Sequence, residues 1–231
     1  KKILITGGSG TVGTALIDQY QGKYKFYSYS RNEKMQVSLK RQFPDIEIIL
    51  GSVEDSLTLH TAISKIKPDV IIHAAALKHI DSAEISPIQA VKSNIIGSLN
   101  VINSAVTESI PMTVAISTDK ASCADSNYGY TKALMEKMFL EAHTLQTKFS
   151  VCRFGNVSHS HGSVIPFWLG LHAENKPLPL THESMNRLMF SREEAANLVH
   201  EAVIKLEGDN ESFVLSQKMK TVNMFKLAKL I

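Results

Sequence analysis

Two short groups of polar side chains, close together in the sequence, have the residue types and spacing of proton-transfer groups. Thr118, Asp119 and Lys120 come directly after a predicted strand, and Tyr128 and Lys132 lie four residues apart in a predicted helix. Residues four apart share one helical face, and an ammonium beside a phenol lowers the pKa of the phenol towards that of a general base. Hydride transfer needs only the Tyr/Lys pair and a hydroxyl donor. The additional acid and base therefore predict chemistry at a second bond.

A glycine-rich turn near the start of the chain supports this interpretation, because a tyrosine and a lysine four residues apart are also common on solvated helix faces. The apolar segment Lys2–Thr6 predicts a buried strand, and residues 14–20 predict a helix. Glycines between a strand and a helix let the backbone approach the pyrophosphate of a dinucleotide, which binds at the helix N-terminus. The spacing is G-x-x-G-x-x-G, and a glycine turn without a ligand is the alternative. The predicted cofactor contacts in this turn are Gly7, Ser9, Gly10, Thr11, Val12 and Gly13.

The end of the second predicted strand, residues 24–30, indicates which dinucleotide binds. Ser30 and Arg31 stand there, without an acidic residue at the tip. An acidic residue would bind the ribose 2′-hydroxyl of NAD, whereas an arginine accommodates the 2′-phosphate of NADP. We therefore expect NADP as the cofactor. NAD stays the alternative, because Glu33 is nearby and an arginine at a strand end is often only solvated.

Strand and helix patterns alternate along the chain. Strands are predicted near residues 2–6, 24–30, 46–50, 69–73, 112–117 and 149–154, and amphipathic helices at 88–106 and 128–145. This alternation predicts an α/β fold with a parallel sheet covered on both faces, whose ligands bind beyond the carboxyl ends of the strands. We expect a dinucleotide-binding domain over residues 1–154. Residues 155–231 are expected to form a small substrate-binding lobe that packs partly back on this domain.

Composition excludes several other classes of protein. The 231 residues carry a net charge of +3 with scattered Lys and Arg, so nucleic acid is not expected as a partner. The two cysteines and nine histidines show no metal-binding spacing, and no metal is predicted. The sequence shows no signal peptide and no apolar run long enough to span a bilayer. A cytoplasmic protein is therefore expected.

The chain resembles the extended short-chain dehydrogenase/reductase superfamily, and within it the UDP-N-acetylglucosamine 4,6-dehydratases (5-inverting) of bacterial sugar biosynthesis. The glycine turn and the Tyr/Lys pair mark only the superfamily. The other matching segments, several of them more specific to the dehydratases, are residues 29–31, 73–79, 117–120, 153–157, 162–166 and 185–187. The resemblance implies a doubly wound parallel sheet of the NAD(P)-binding Rossmann type, a nucleotide-sugar substrate and a homo-oligomer.

The resemblance also implies roles for the proton-transfer groups. Tyr128, assisted by Lys132 and with Thr118 at the same oxygen, takes the O4 proton of the sugar while NADP accepts the hydride from C4. Lys120 then removes the acidified C5 proton, Asp119 protonates the departing O6, and the hydride returns to C6. An ammonium beside a carboxylic acid lowers the pKa of the acid. The Asp119 and Lys120 side chains are therefore expected to point apart, or the ketone-bound state desolvates the acid.

Further contacts are expected on both sides of the site. Lys78 and His79 are expected at the substrate phosphates or acyl group, although a loop histidine without a ligand explains His79 equally. Asn156 and Arg187 are expected at the sugar nucleotide, since an arginine binds a diphosphate through two nitrogens. Helix packing explains Asn94 as well as a cofactor contact does. The remaining predicted cofactor contacts are Ser52, Val53, Ala74, Ala75, Ala76 and Asn94.

Several positions depart from the pattern of the family. Ser52 replaces an aspartate that contacts adenine, His161 replaces an arginine, and the segment 185–188 replaces a threonine and a phenylalanine. The first change should affect cofactor affinity, and the others leave the exact nucleotide sugar open. The sequence ends at Ile231 inside a predicted helix, so part of the substrate lobe is expected to be missing. An epimerase or reductase of the same superfamily, or a catalytically silent NADP-binding protein, are the alternative functions.

Overall fold

The computed structural model describes residues 1–160 and 162–231, and ten strands form two sheets. The strands are β1 (Lys2–Thr6), β2 (Lys25–Ser30), β3 (Glu47–Leu50), β4 (Val70–His73), β5 (Met112–Thr118), β6 (Lys148–Phe154), β7 (Asn156–Val157), β8 (Asn186–Phe190), β9 (Phe213–Leu215) and β10 (Lys220–Asn223). The larger sheet has the order β3-β2-β1-β4-β5-β6-β9, and all its neighbouring strands are parallel. The order reverses between β1 and β4, which confirms the Rossmann-type doubly wound fold and places its ligand crevice beyond these two strands.

Helices cover both faces of this sheet. They are α1 (Thr11–Tyr20), α2 (Glu33–Gln42), α3 (Ser56–Ile66), α4 (Ile80–Ile85), α5 (Pro87–Val91), α6 (Gly97–Thr107), α7 (Asn127–Glu141), α8 (Val164–Ala173), α9 (Arg192–Gly208) and α10 (Met224–Ala228). Side-chain caps explain several of the starting points. Asn32, Asp55 and Ser126 each accept a hydrogen bond from a backbone N–H in the first turn, and Ser191 forms a capping box with Glu194.

The hydrophobic core consists of two layers, one on each face of the sheet. Successive residues of β1 alternate between them, with Ile3 and Ile5 in one layer and Leu4 in the other. The first layer also takes in α1 and α9, and the second takes in α3, α6 and α7. Burial of both faces explains why the strands have nearly continuous apolar sequences, which the parallel arrangement requires.

The six predicted strands are confirmed to within one or two residues, whereas the helices differ in detail. The predicted helix over residues 88–106 is divided by a π-helical turn at Lys92–Ile96, between α5 and α6. Helix α7 ends at Glu141 because the chain then turns, with the backbone N–H of Thr144 bonded to the carbonyl of Thr147. Patterns of hydrophobic residues do not show such turns.

The chain beyond residue 154 has two parts. Strands β7, β8 and β10 form a separate three-stranded sheet at the edge of the crevice. Helix α9 and strand β9 instead return to the large sheet, where β9 pairs with β6 and α9 packs on α1. The division between residues 154 and 155 stays a prediction. Within the described part of the chain, no helix is long and apolar enough to cross a membrane.

Candidate active site

A large cavity of about 1040 Å³ lies at the carboxyl ends of the strands, beside the point where the strand order reverses. Most of the predicted site residues border it, although they come from loops far apart in the sequence. The predicted residues on its wall are Gly7, Ser9, Gly10, Thr11, Val12, Gly13, Ser30, Arg31, Ser52, Val53, Ala74, Ala75, Ala76, Lys78, His79, Thr118, Lys120, Tyr128, Lys132, Asn156 and Arg187. Asn94 and Asp119 lie behind this wall.

The glycine turn is shaped for close approach of backbone to backbone. Gly7 has a positive φ of 71°, and a Cβ on it would lie 2.8 Å from the Ala75 nitrogen. A Cβ on Gly13 would lie 2.4 Å from the Gly8 carbonyl oxygen. Helix α1 follows, and its N-cap, Gly10, makes no side-chain cap hydrogen bond. Gly10, Thr11 and Val12, at the N-terminus of α1, border the cavity, which fits the pyrophosphate of a dinucleotide.

The tip of β2 carries Arg31, as predicted for a 2′-phosphate site, but an acid that sequence analysis missed lies beside it. Glu54 Oε1 is 3.6 Å from Arg31 Nη1 and accepts a 2.5 Å hydrogen bond from Ser93 Oγ. Arg31 is 65% exposed, so its side chain is free to turn, whereas Glu54 is largely buried at 24% exposed. Both residues border the cavity. Glu54 follows β3 in the sequence, so it is not one of the residues at the tip of β2.

Three further predicted cofactor positions are tied into the fold by hydrogen bonds and packing. Ser30 Oγ accepts a hydrogen bond from Ser9 Oγ at 3.1 Å, which ties the glycine turn to β2. The Ser52 carbonyl accepts a hydrogen bond from the buried Tyr29 hydroxyl at 3.0 Å. Val53 packs so closely on helix α6 that a Cβ on Gly97 would lie 2.6 Å from its side chain. The wall on the adenosine side is therefore fixed by the core.

The structure gives Asn94 a different role from the predicted cofactor contact. It is 1% exposed, and its side chain binds both the N–H and the carbonyl of Leu77, at 2.8 and 3.0 Å. Its amide also donates to Thr131 Oγ1 on α7 at 3.0 Å. These bonds use both hydrogens of the amide, so Asn94 holds the loop after β4, with Ala74–Ala76, against α7. The π-helical turn provides this inward position.

Tyr128 lies half-buried at the start of α7, hydrogen-bonded to Thr118 at the end of β5. Burial raises the pKa of Tyr128 to about 12, because the phenolate loses its hydration. The hydrogen bond with Thr118 lowers this pKa, and the negative charge of Asp119 raises it. The pKa lowering that the sequence predicted is therefore not found in this arrangement.

The reason lies in the partners of Lys132. Its ammonium donates to the Ile116 carbonyl at 2.5 Å and to Met135 Sδ at 3.0 Å, rather than to the Tyr128 phenol. The side chain is buried, and burial lowers the pKa of Lys132 to about 8, partly offset by the nearby carboxylate of Glu136. Lys132 thus carries a charge that changes close to neutral pH, beside the phenol it is expected to assist.

Asp119 and Lys120 form an ion pair, with 3.0 Å between Lys120 Nζ and Asp119 Oδ1. The same carboxylate oxygen accepts a hydrogen bond from Thr118 Oγ1 at 2.8 Å. The expectation that the two side chains point apart is therefore wrong for this structure. Both residues lie in a 3-10 turn, Asp119–Ala121, and are about one quarter exposed. Lys120 borders the cavity and Asp119 lies just behind it.

The predicted substrate contacts Lys78, His79, Asn156 and Arg187 also border the cavity. Burial lowers the pKa of Lys78, which borders the cavity together with His79. Gly162 has a φ of 71° and approaches the His79 ring so closely that a Cβ would lie 2.8 Å from it. Asn156 donates to the Leu188 carbonyl at 3.1 Å, which joins β7 to β8, and Arg187 is exposed on β8.

Several residues on the cavity wall were not predicted from the sequence. His161, where the chain departs from the family pattern, lies outside the described residues. Trp168, on α8, is 1% exposed and donates to the Pro179 carbonyl at 3.1 Å. Trp168, Pro179 and Met189 all border the cavity. The signal for them was weak, because Trp168 has the sequence context of an ordinary core residue.

Comparisons with known proteins agree with this geometry. The family described as polysaccharide biosynthesis protein matches residues 3–231. A UDP-N-acetylglucosamine 4,6-dehydratase (inverting) of Campylobacter jejuni is 36% identical over 97% of this chain and 70% of its own length. A UDP-glucose 4-epimerase of Rickettsia bellii is 32% identical over 99% of this chain and 69% of its own length.

A solved structure gives the same result for the fold. The X-ray structure of Pen from Bacillus thuringiensis superposes with a TM-score of 0.91 at 32% identity, over 100% of this chain and 72% of that one. The match over nearly every residue, together with the sheet order and the glycine turn, shows the family. The chain belongs to the polysaccharide biosynthesis protein family, within the extended short-chain dehydrogenase/reductase type, and is similar to UDP-N-acetylglucosamine 4,6-dehydratases.

Proposed function

We propose that this protein is an enzyme that acts on a nucleotide sugar, and that it catalyses the 4,6-dehydration of a UDP-N-acetylhexosamine, UDP-N-acetylglucosamine, with inversion at C5. The observation that carries the proposal is the arrangement of Thr118, Lys120, Tyr128 and Lys132 on the wall of one cavity, with Asp119 paired to Lys120. The similarity to the dehydratase of Campylobacter jejuni supports it. The product is a UDP-4-keto-6-deoxy sugar.

We propose NADP as the cofactor, held by the glycine turn, the N-terminus of α1 and Arg31. When bound there, a nicotinamide dinucleotide supplies an acceptor for the C4 hydride and returns that hydride to C6. The cavity of about 1040 Å³ is at the upper end of the range for one drug-sized ligand, which suits a dinucleotide beside a sugar nucleotide. NAD is the alternative, because Glu54 lies where a ribose hydroxyl could donate to it.

Tyr128 is the proposed base for the sugar O4 hydroxyl, and Thr118 binds the same oxygen. Burial disfavours the phenolate, so a positive charge nearby is needed when the proton leaves. Lys132 provides that charge from one helical turn away. Because its ammonium is bound to the Ile116 carbonyl, it acts on Tyr128 through the field inside the buried site rather than through a direct hydrogen bond.

Lys120 and Asp119 are the proposed base and acid for the second bond. The 4-ketone makes the C5 proton acidic, and Lys120, on the cavity wall, removes it. Asp119 then protonates O6 as water departs. The ion pair keeps both residues together in one turn. The step requires the proton of the Lys120 ammonium to pass to Asp119 within the pair, so that Lys120 acts as a neutral amine and Asp119 as a carboxylic acid. The elimination then restores the charged pair. When the hydride returns to C6, a solvent-derived proton adds to C5 from the opposite face, which inverts that centre.

An epimerase is the second candidate, and the similarity to the Rickettsia bellii epimerase favours it. Epimerisation at C4 uses the Tyr/Lys pair and a hydroxyl donor but has no step for a second acid and base. The two reactions give different products. Dehydration removes one water from the sugar, whereas epimerisation leaves the mass unchanged.

The decisive experiment incubates the protein with NADP and UDP-N-acetylglucosamine in deuterium oxide, followed by mass spectrometry and NMR. A sugar nucleotide that has lost one water and carries deuterium at C5 is the expected product, and its NMR couplings give the configuration at C5. Lys120→Ala and Asp119→Asn should both stop its formation, since each removes a group of the elimination step. An unchanged product mass would show that the dehydratase proposal is wrong. Near-normal dehydration by both variants would show that the roles given to Lys120 and Asp119 are wrong.

We further propose that the protein is a cytoplasmic homo-oligomer. Ile85 and Ile88 on α4 and α5 are 82% and 70% exposed, and Leu134 on α7 is 50% exposed. Helices α4, α5 and α7 contact one another, and exposed apolar patches often mark interfaces between protein chains. Size-exclusion chromatography with light scattering tests this, and a mass equal to that of one chain would contradict the oligomer.

A further inference from the structure

One buried ion pair links the two groups of proton-transfer residues. Arg153, on β6, donates from Nε to Glu136 Oε1 at 3.0 Å, and its Nη2 binds the other oxygen of the same carboxylate. Its remaining nitrogen, Nη1, donates to Ser122 Oγ at 2.9 Å. Glu136 is 5% exposed, whereas the Arg153 side chain is 27% exposed, so the carboxylate is the buried partner of the pair. A planar guanidinium with two partners fixes their relative positions.

The two partners belong to the two catalytic segments. Ser122 follows the turn that contains Asp119 and Lys120, and its N–H binds the Asp119 carbonyl at 3.1 Å. Glu136 lies on α7, one turn beyond Lys132 and on the same helical face. One guanidinium therefore holds the elimination groups and the oxidation groups together.

The contact between these segments is close elsewhere as well. A Cβ on Gly129, next to Tyr128, would lie 2.8 Å from the Lys120 carbonyl oxygen. The start of α7 thus packs directly on the turn. A small rotation of the turn would change the distance between Lys120 and the sugar carbon that Tyr128 has prepared, and such errors of position are costly in catalysis.

We propose that Arg153 is a positioning residue, which holds the turn of Asp119 and Lys120 in register with α7 through Ser122 and Glu136. This inference rests on the proposed dehydration. Arg153 does not act on the substrate, and it is not needed for the first oxidation, in which Tyr128 and Lys132 act from α7 and Thr118 from the end of β5. Its effect is on the second step, where groups from two segments must reach the same sugar.

Two variants test the proposal, with a third as the control. Ser122→Ala removes only the bond to the turn, at an exposed side chain. Arg153→Lys keeps a positive charge beside Glu136 but cannot form the fork to both partners. Arg192→Lys makes the same exchange at the start of α9, away from the cavity wall. Thermal unfolding of each variant shows whether it is folded.

The measurement separates the two steps in single turnovers with UDP-N-acetylglucosamine and NADP. Absorbance of the reduced nicotinamide follows the oxidation, and loss of water with C5 deuterium uptake follows the elimination. Arg153→Lys should retain the oxidation rate within about threefold and lower elimination by about tenfold or more, as expected for losing a charge-assisted hydrogen bond. Ser122→Ala should lower elimination by about threefold, and Arg192→Lys should change neither step.

Loss of both steps by the same factor in folded Ser122→Ala, or no loss of elimination in either variant, would overturn the positioning role. If Arg153→Lys does not fold, Ser122→Ala alone decides between these outcomes. A normal wild-type dehydration with unaffected variants refutes only the role of Arg153. A wild-type protein that releases no dehydrated sugar refutes the proposed function itself, and the role of Arg153 with it.

Discussion

Replacement of Arg31 by alanine should weaken the binding of NADP much more than that of NAD. Arg31 is the only cation predicted at the tip of β2, and it borders the cavity beside the glycine turn. Its present partner is Glu54, at 3.6 Å. A 2′-phosphate would have to replace this carboxylate as the partner of the guanidinium, so the net effect is the difference between the two interactions.

The magnitude follows from that difference. A hydrogen bond to a charged group contributes about 1.5–3 kcal/mol, and an exposed ion pair contributes about 0–1 kcal/mol. Arg31 is 65% exposed, which places both contributions towards the lower ends of their ranges. Arg31→Ala should therefore cost about 1–2 kcal/mol of NADP binding, a rise of about 5- to 30-fold in Kd. The Kd for NAD should change by less than about twofold, since NAD has no 2′-phosphate.

Glu54→Gln gives the opposite test. Removal of the carboxylate leaves Arg31 without a competitor and removes repulsion of the phosphate, so NADP should bind up to about fivefold more tightly. Lys34→Ala, an exposed lysine of α2 away from the cavity wall, is the control and should change neither affinity. Isothermal titration calorimetry with each dinucleotide, at one fixed salt concentration, measures all four proteins.

Two results would refute this reasoning. Equal losses of NADP and NAD affinity in Arg31→Ala would show that Arg31 does not bind the 2′-phosphate. A Glu54→Gln variant that loses NAD affinity, with NADP unchanged, would show that Glu54 binds the ribose hydroxyl and that NAD is the natural cofactor.

Three further predictions concern other parts of the molecule. Tyr128→Phe should show no reduced nicotinamide even in single turnovers. Lys120→Ala should accumulate reduced nicotinamide, because Lys120 acts only after the ketone has formed. Stopped-flow absorbance separates the two variants, and identical traces would contradict the roles assigned to Tyr128 and Lys120. Gly13→Ala should lower the free energy of unfolding in urea by about 2 kcal/mol, since the new Cβ would lie 2.4 Å from a backbone oxygen, while Gly208→Ala, with nothing within 4 Å, should stay within about 0.5 kcal/mol. Burial lowers the pKa of His73 from its ordinary value of 6.5 to about 3. Below pH 6.5, the unfolded chain therefore binds a proton at His73 that the folded protein does not bind. Stability should therefore fall with decreasing pH, by about 2 kcal/mol from this residue between pH 6.5 and 5, and an equally steep fall in His73→Gln would refute this contribution.

The sequence by itself determined the first six strands of this protein and their alternation with helices. Apolar runs of strand length, the glycines between Thr6 and Thr14 and the four-residue spacing of Tyr128 and Lys132 are local patterns, each recorded in a few consecutive residues. They are sufficient to predict a parallel sheet with a ligand crevice at its carboxyl edge, because strand-helix alternation has few other solutions. They also predict that groups after different strands meet at that edge.

Only the tertiary structure decided which side chains become partners there. Glu54 meets Arg31 because β3 lies next to β2, and Arg153 joins Glu136 and Ser122 because β6 lies beside β5 under α7. The burial of a side chain also depends on which strands and helices lie next to one another. Burial against β5 lowers the pKa of Lys132 to about 8, which the four-residue spacing from Tyr128 does not show. Hydrophobic period and turn chemistry act between near neighbours in the chain, whereas desolvation and ion pairing depend on distances that exist only after the sheet has formed.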